Sequence, residues 1–156
     1  MCAVNIQDHI SAGGLGALLM PELPASVDAI RAAAVQTLRD AAADERLSAR
    51  LAVVGATVAI ELRGHPDAAF AVRMEHDTIA VVDAEDERAD IGLAMDPIDL
   101  HELFAGGPHL PMKIARGHVT YTGQVRRFLR IVPILAHMGP RYESHLAAAQ
   151  EREDEL

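Results

Sequence analysis

The chain has 156 residues, half of them hydrophobic, and a formal net charge of −9. Its length suits one domain with a substantial core, and its acidic balance excludes a surface built to displace counterions from nucleic acid. Aromatic residues make up 3% with no Trp, so the core must be aliphatic and base-stacking platforms are excluded too.

Residues 1–25 hold "GGLG" and "PELP" and show no periodicity; they are expected to form an arm packed on the domain. No strand precedes these glycines and no Gly-Lys-Ser/Thr follows, which excludes a phosphate loop. Asp8 and His9 stand where a secretory leader would carry Lys or Arg. No stretch reaches the roughly 20 apolar residues of a membrane helix. A single cysteine, Cys2, cannot close an internal disulfide, so the expected compartment is a reducing cytoplasm. Lys113 is the only lysine among the 14 basic residues. With so much Ala, that bias is associated with high-GC bacterial genomes.

Ser26 is placed to cap a helix in which Val27, Ile30, Ala34, Leu38 and Ala41 recur at helical spacing, with Asp28 near its positive end. A second short helix is expected over 45–51. Four alternating runs follow: Val58, Ile60 and Leu62; Phe70, Val72 and Met74 after a turn at "HPD"; "DTIAVVDAE"; and Ile91, Leu93 and Met95. Their short separations predict a meander of antiparallel hairpins. In "DPIDLHELF", Asp96 is the expected N-cap, Pro97 the first helical residue and Asp99 the reciprocal capping partner, with the helix stopping at Gly106-Gly107. After the loop "PHLP", a short helix "MKIAR" leads to a fifth strand, "HVTYT". The strand is followed by a long apolar helix through Val125, Phe128, Leu129 and Val132, kinked at Pro133. The order predicts an α+β fold, a five-stranded, mainly antiparallel sheet covered by helices. We place the domain at 26–138 and a charged C-terminal helix or tail at 139–156; "EREDEL" is read as the frayed end of that helix and not as a retention address.

The residues argue against a conventional catalytic centre. A zinc-protease helix starting at His101-Glu102 would need His at position 105, where Ala105 stands, so no metal is expected. His101 and Glu102 are read as a solvated helix face, and His118 as pointing away from Val119 and Tyr121. No serine lies in a nucleophile elbow. Tyr121 is expected to point inward, where its phenol would need a partner. Arg126, Arg127 and Arg130 form a basic strip on the back of the apolar helix.

"ADIGLAMDPIDLHELFAGG" followed by "LPMKIARGHVTYTGQ" resembles the C-terminal half of the SCP-2 (sterol carrier protein 2) family. The matching positions are Ala89-Asp90, the strand Ile91 to Met95, Asp99-Leu100, Gly106, and Gly117-Val119-Tyr121-Gly123; the likeness covers 27–138. Gln124, where the family often has Asp or Asn, and the interrupting Pro133 are departures. The resemblance implies a sheet and helices enclosing an apolar tunnel that takes sterols, fatty acids, acyl-CoA or phospholipids. It brings no cofactor, metal or catalytic residue, and some bacterial relatives assist quinone biosynthesis.

The expected function is non-enzymatic binding and transfer of a lipophilic ligand: a sterol, fatty acid, acyl-CoA or isoprenoid-like molecule. Burying about 400 Å² of apolar ligand surface gains on the order of 10 kcal/mol before binding costs, so such a site needs no charged anchor. From facing alone, the expected lining is Leu103, Phe104, Leu110, Met112, Ile114, Tyr121, Val125, Phe128, Leu129 and Val132. Arg126, Arg127 and Arg130 are the expected contact with an anionic membrane surface or CoA. One alternative is an enzyme for cyclisation or isomerisation that uses Tyr121 and His109. The other is an interaction module, or a homodimer, formed through the apolar helix.

Overall fold

The structure is a computed structural model that describes residues 23–84, 88–106 and 109–155. Cys2, Gly107 and the expected arm as far as residue 22 lie outside the described residues. The α+β architecture expected from the order of elements is present: one five-stranded mixed sheet with helices packed on one face.

Helix α1 is Val27–Ala43. Its start is fixed by Ser26, whose hydroxyl oxygen accepts the Ala29 N–H at 3.0 Å and donates to the Glu153 carboxylate at 2.7 Å. Ile30, Ala34, Leu38 and Ala41 form its buried stripe. Asp44 caps α2, Glu45–Leu51, by accepting the N–H groups of Arg46 and Leu47. A single 3₁₀ turn, Ala52–Val54, then leads into the sheet.

The strands are β1 Ala56–Leu62, β2 His65–Glu75, β3 Thr78–Val82, β4 Ile91–Met95 and β5 Thr120–Thr122. Val58, Ile60, Leu62, Phe70, Val72, Met74, Ile91, Leu93 and Met95 alternate onto the helix-covered face and are all buried. The first turn lies at Arg63-Gly64 and not at "HPD": Gly64 supplies a φ of 80°, while His65 is already paired with Leu62. The second hairpin closes at His76-Asp77, both at positive φ, as a two-residue turn between twisted strands requires.

The meander expectation fails at the fourth strand. The order is β3-β2-β1-β4-β5, and β4 runs parallel to β1. Asp90 explains the placement, because its carboxylate accepts the Thr57 N–H at 3.1 Å and its own N–H donates to the Thr57 carbonyl at 2.9 Å. Arg63 clamps the other end through its N–H to the Met95 carbonyl. Alternation along β4 says which side chains are buried, not which neighbour the strand takes.

Helix α3, Pro97–Ala105, has the expected Asp96 cap, Pro97 start and Gly106 stop at φ 87°. Helix α4, Leu110–Ala115, begins two residues earlier than "MKIAR", with Pro111 in its first turn. The long kinked helix is in fact two, α5 Val125–Leu129 and α6 Val132–His137, and the C-terminal segment forms a helix of its own, α7 Gly139–Asp154. The break falls at Arg130-Ile131, and Pro133 lies in the first turn of α6. There its missing N–H leaves no hydrogen bond unmade, so it starts a helix instead of bending one. Helix α7 packs along α1, burying Tyr142, Leu146 and Ala149.

Candidate functional site

The end of α3, the start of α4 and the length of α6 enclose an open cleft of about 590 Å³. Its walls are largely apolar: Leu103 from α3, Leu110 from α4, and Val132, Pro133, Ile134 and Ala136 from α6. Arg50, Glu102, His109 and His137 supply the polar groups. The α6 walls follow the break at Arg130-Ile131, with Pro133 in the first turn of the new helix.

Behind Leu103 the core holds a void of about 10 Å³, bounded by Phe104, Phe128, Leu38, Val58, Ile60, Val72, Met74 and Leu135. Such a space holds no more than a water molecule. Leu103 lines both the void and the cleft, so it is the side chain that separates the core from the opening. A second open cleft, of about 770 Å³, lies between α2 and the start of α7 and shares Arg50 and His137 with the first.

The expected lining residues divide into four groups. Leu103, Leu110 and Val132 line the cleft, and Leu103, Phe104 and Phe128 line the void. Val125 is buried in the core, with Ile114 and Leu129 packed against it. Met112 and Tyr121 line neither space and are 44% and 49% exposed. Tyr121 pairs with Leu93 and shares its side of the sheet, but β5 is the edge strand and all three of its residues are exposed. The inward phenol is therefore corrected to a half-exposed one. Because His109 lines the cleft and Tyr121 does not, the two candidate catalytic groups are not brought together.

His101 and Glu102 do not form a solvated face. His101 Nδ1 lies 2.9 Å from the hydroxyl of buried Tyr142, whose ring stacks on Phe104 at a centroid distance of 5.4 Å. Burial pushes the His101 pKa down and the Tyr142 phenol up, so the phenol donates and a neutral imidazole accepts. Glu102 and Asp99 both accept from Lys113 Nζ, at 2.5 and 2.6 Å. Burial opposes the charge on Lys113, but the two hydrogen bonds and two carboxylate charges outweigh it and raise its pKa. The triad ties α3 to α4 at the cleft edge, with two carboxylates sharing one ammonium. The i, i+3 spacing of Asp99 and Glu102 was a visible sign of a shared helix face. Arg50 and His137, far apart in the chain, had no such sign. In the second cleft His145 Nε2 meets Asp40 Oδ2 at 2.5 Å, and this hydrogen bond holds the Asp40 carboxyl below its ordinary value. Among the described residues no cluster of three His, Cys, Asp or Glu side chains is placed to hold a metal.

No family model matches the chain, and no curated protein matches it. Solved structures do. The sterol carrier protein domain 2 of Helicoverpa armigera aligns with 67% of this chain and 87% of its own, at 13% identity and a TM-score of 0.51. The chain has the SCP-2 fold. Two other SCP-2 structures overlap it at lower TM-scores. The apo sterol carrier protein 2 of Yarrowia lipolytica scores 0.47 at 17% identity, covering 74% of this chain and 88% of that one. The ubiquinone synthesis protein UbiJ-SCP2 scores 0.48 at 17% identity, covering 60% and 80%. Within this SCP-2 fold no described helix is long and apolar enough to cross a membrane.

Proposed function

We propose that the protein binds a lipophilic small molecule without transforming it, and that the molecule enters through the cleft between α3, α4 and α6. The observation that carries this reading is the position of Leu103. It is the one side chain common to an apolar-walled opening of about 590 Å³ and to the void at the centre of the core. A ligand lying on Leu110, Val132 and Ile134 would push Leu103 aside and reach Phe104 and Phe128, turning cleft and void into one continuous apolar site. Burial of about 400 Å² of ligand supplies on the order of 10 kcal/mol, enough to offset that rearrangement and the cost of association. Sharing a fold with a sterol carrier domain supports the same ligand class. Arg126 and Arg127 on α5, and Arg130 just after it, are exposed next to the α6 wall. They would turn the cleft toward an anionic bilayer surface during transfer.

The test is solvent extraction of natively purified protein followed by mass spectrometry, together with uptake of a fluorescent fatty acid. Wild type is expected to yield near one lipid per chain and to take up the probe. Val132→Asp places a charge on the half-buried cleft wall, where Val132 also packs on the core; a variant that still melts cooperatively is expected to lose both. An empty extract with no uptake, or a variant that binds as wild type does, defeats this reading.

A further inference from the structure

We propose that the apolar run at residues 10–20 seats on the face of the sheet opposite the helices, so that the chain's own N-terminal segment closes the sheet from behind. The proposal is independent of the ligand reading, whose cleft lies on the helix side.

A sheet with one solvated face alternates apolar with polar residues. Here the outward positions include Ala80 and Val82 of β3, Ala71 of β2, Ala59 of β1, and Gly92 and Ala94 of β4, and none of them belongs to the core that holds the helices. Val82, Ala71, Ala59 and Gly92 are register partners in one row across four strands. Ala71 is 0% exposed, although the described helices pack on the other face. Thr57, on the same face as Ala71, is 5% exposed, and its hydroxyl makes no hydrogen bond among the described residues. Toward β5 the face opens into a depression of about 250 Å³, lined by Ala59, Gly92, Ala94 and the exposed Glu61.

The run "ISAGGLGALLM" carries no charged side chain in a chain that is 24% charged, and it is too short to span a bilayer. Its glycines and alanines permit close backbone approach to a floor of Ala and Gly. The path is short. The Pro24 carbonyl accepts from Gln150 of α7 at 2.9 Å, and Arg31 of α1 donates to the Ala68 carbonyl of β2 at 3.1 Å. The start of α1 therefore lies against the part of β2 that β3 leaves uncovered, since β3 pairs only with residues 71–75. Passing from the helix layer to the far side of the sheet is roughly 20 Å, about six extended residues. Leu23, 40% exposed, is preceded by 22 residues, enough for the crossing and the whole apolar run.

Thiol labelling of the full chain tests this, with Cys2→Ser removing the one native thiol. Ala71→Cys should react roughly a hundredfold more slowly than Val53→Cys, at a position 57% exposed. Adding Leu15→Asp and Leu18→Asp should raise the Ala71→Cys rate at least roughly tenfold and leave the Val53→Cys rate unchanged. Ala71→Cys reacting as fast as Val53→Cys without the arm changes overturns the proposal. So does protection that survives them; sedimentation then tells a second copy from the fold itself as the cover. A benzophenone carried on Glu61→Cys gives a readout that leaves residues 10–20 unaltered. Its photo-crosslink should map to that run within one chain, and a crosslink to a second copy, or to other residues alone, overturns the proposal.

Discussion

His101 and Tyr142 show how much a residue's role depends on a partner that is remote in the chain. The capping residues of α3 were legible because Asp96, Pro97 and Asp99 act on their own neighbours. The 41-position separation of His101 and Tyr142 hid a pairing that only the packing of α7 creates. That pairing has a pH signature. Burial lowers the His101 pKa below 6.5, so between the two values the unfolded chain binds a proton that the folded chain does not. Stability is therefore intact above about pH 6.5 and declines as pH falls through the lowered value. Asp40, held below 3.8 by His145, acts in a separate, more acidic window. Thermal melts from pH 8 to 5 should show the decline in wild type and a flatter profile in His101→Gln. An equally steep profile in the variant would remove His101 as its source.

Periodicity located every strand of the sheet but not the sheet's order. The alternation of Ile91, Leu93 and Met95 is equally compatible with pairing to β3 or to β1. What decides is Asp90 on Thr57, a contact between residues with no common local pattern. Gly123, one end of a Gly-x-apolar-x-apolar-x-Gly strand, belongs to the same junction. A Cβ there would stand 2.1 Å from the Asp90 carbonyl oxygen, and its φ is 79°. Gly123→Ala should cost more than about 2 kcal/mol in urea unfolding, since both backbone strain and a backbone clash must be relieved. Gly92→Ala is the contrast. Its Cβ would meet the Thr122 hydroxyl at 2.7 Å, a side chain that can rotate away, so the cost should stay below about 1 kcal/mol. Similar losses in the two variants would show that the Asp90 junction is not rigid. Pro133 was legible as an interruption; that it begins a helix needed the break at Arg130-Ile131, which nothing local announces.

The fold class and the aliphatic core were readable from the sequence because both follow from composition and element order. The cleft was only half readable. Leu103, Leu110 and Val132 declare themselves by their helix faces, whereas Arg50 arrives from α2 across the molecule. The same non-local logic governs the C-terminal segment, which composition marks as a charged helix or tail outside the domain. Tyr142, Leu146 and Ala149 of α7 complete the buried face of α1, and Ser26 bonds Glu153 near the far end of that helix. A chain ended after Met138 would lose a buried Tyr and Leu, on the order of 5 kcal/mol. That is comparable with the whole stability of a domain, about 5–15 kcal/mol. We expect the shortened chain to lose its cooperative unfolding transition. A truncated protein that still melts sharply would place the domain's end at 138, as the sequence suggested.

Lys113 gives the molecule a built-in clock. It is the only lysine in the sequence, its side chain is 12% exposed, and both of its carboxylate partners belong to α3. An amine-directed acylating reagent therefore finds, apart from the chain's α-amine, one target, and reaches it only when α4 swings away from α3. The rate at which that single mass increment accumulates measures how often this edge of the cleft opens, with no engineered label.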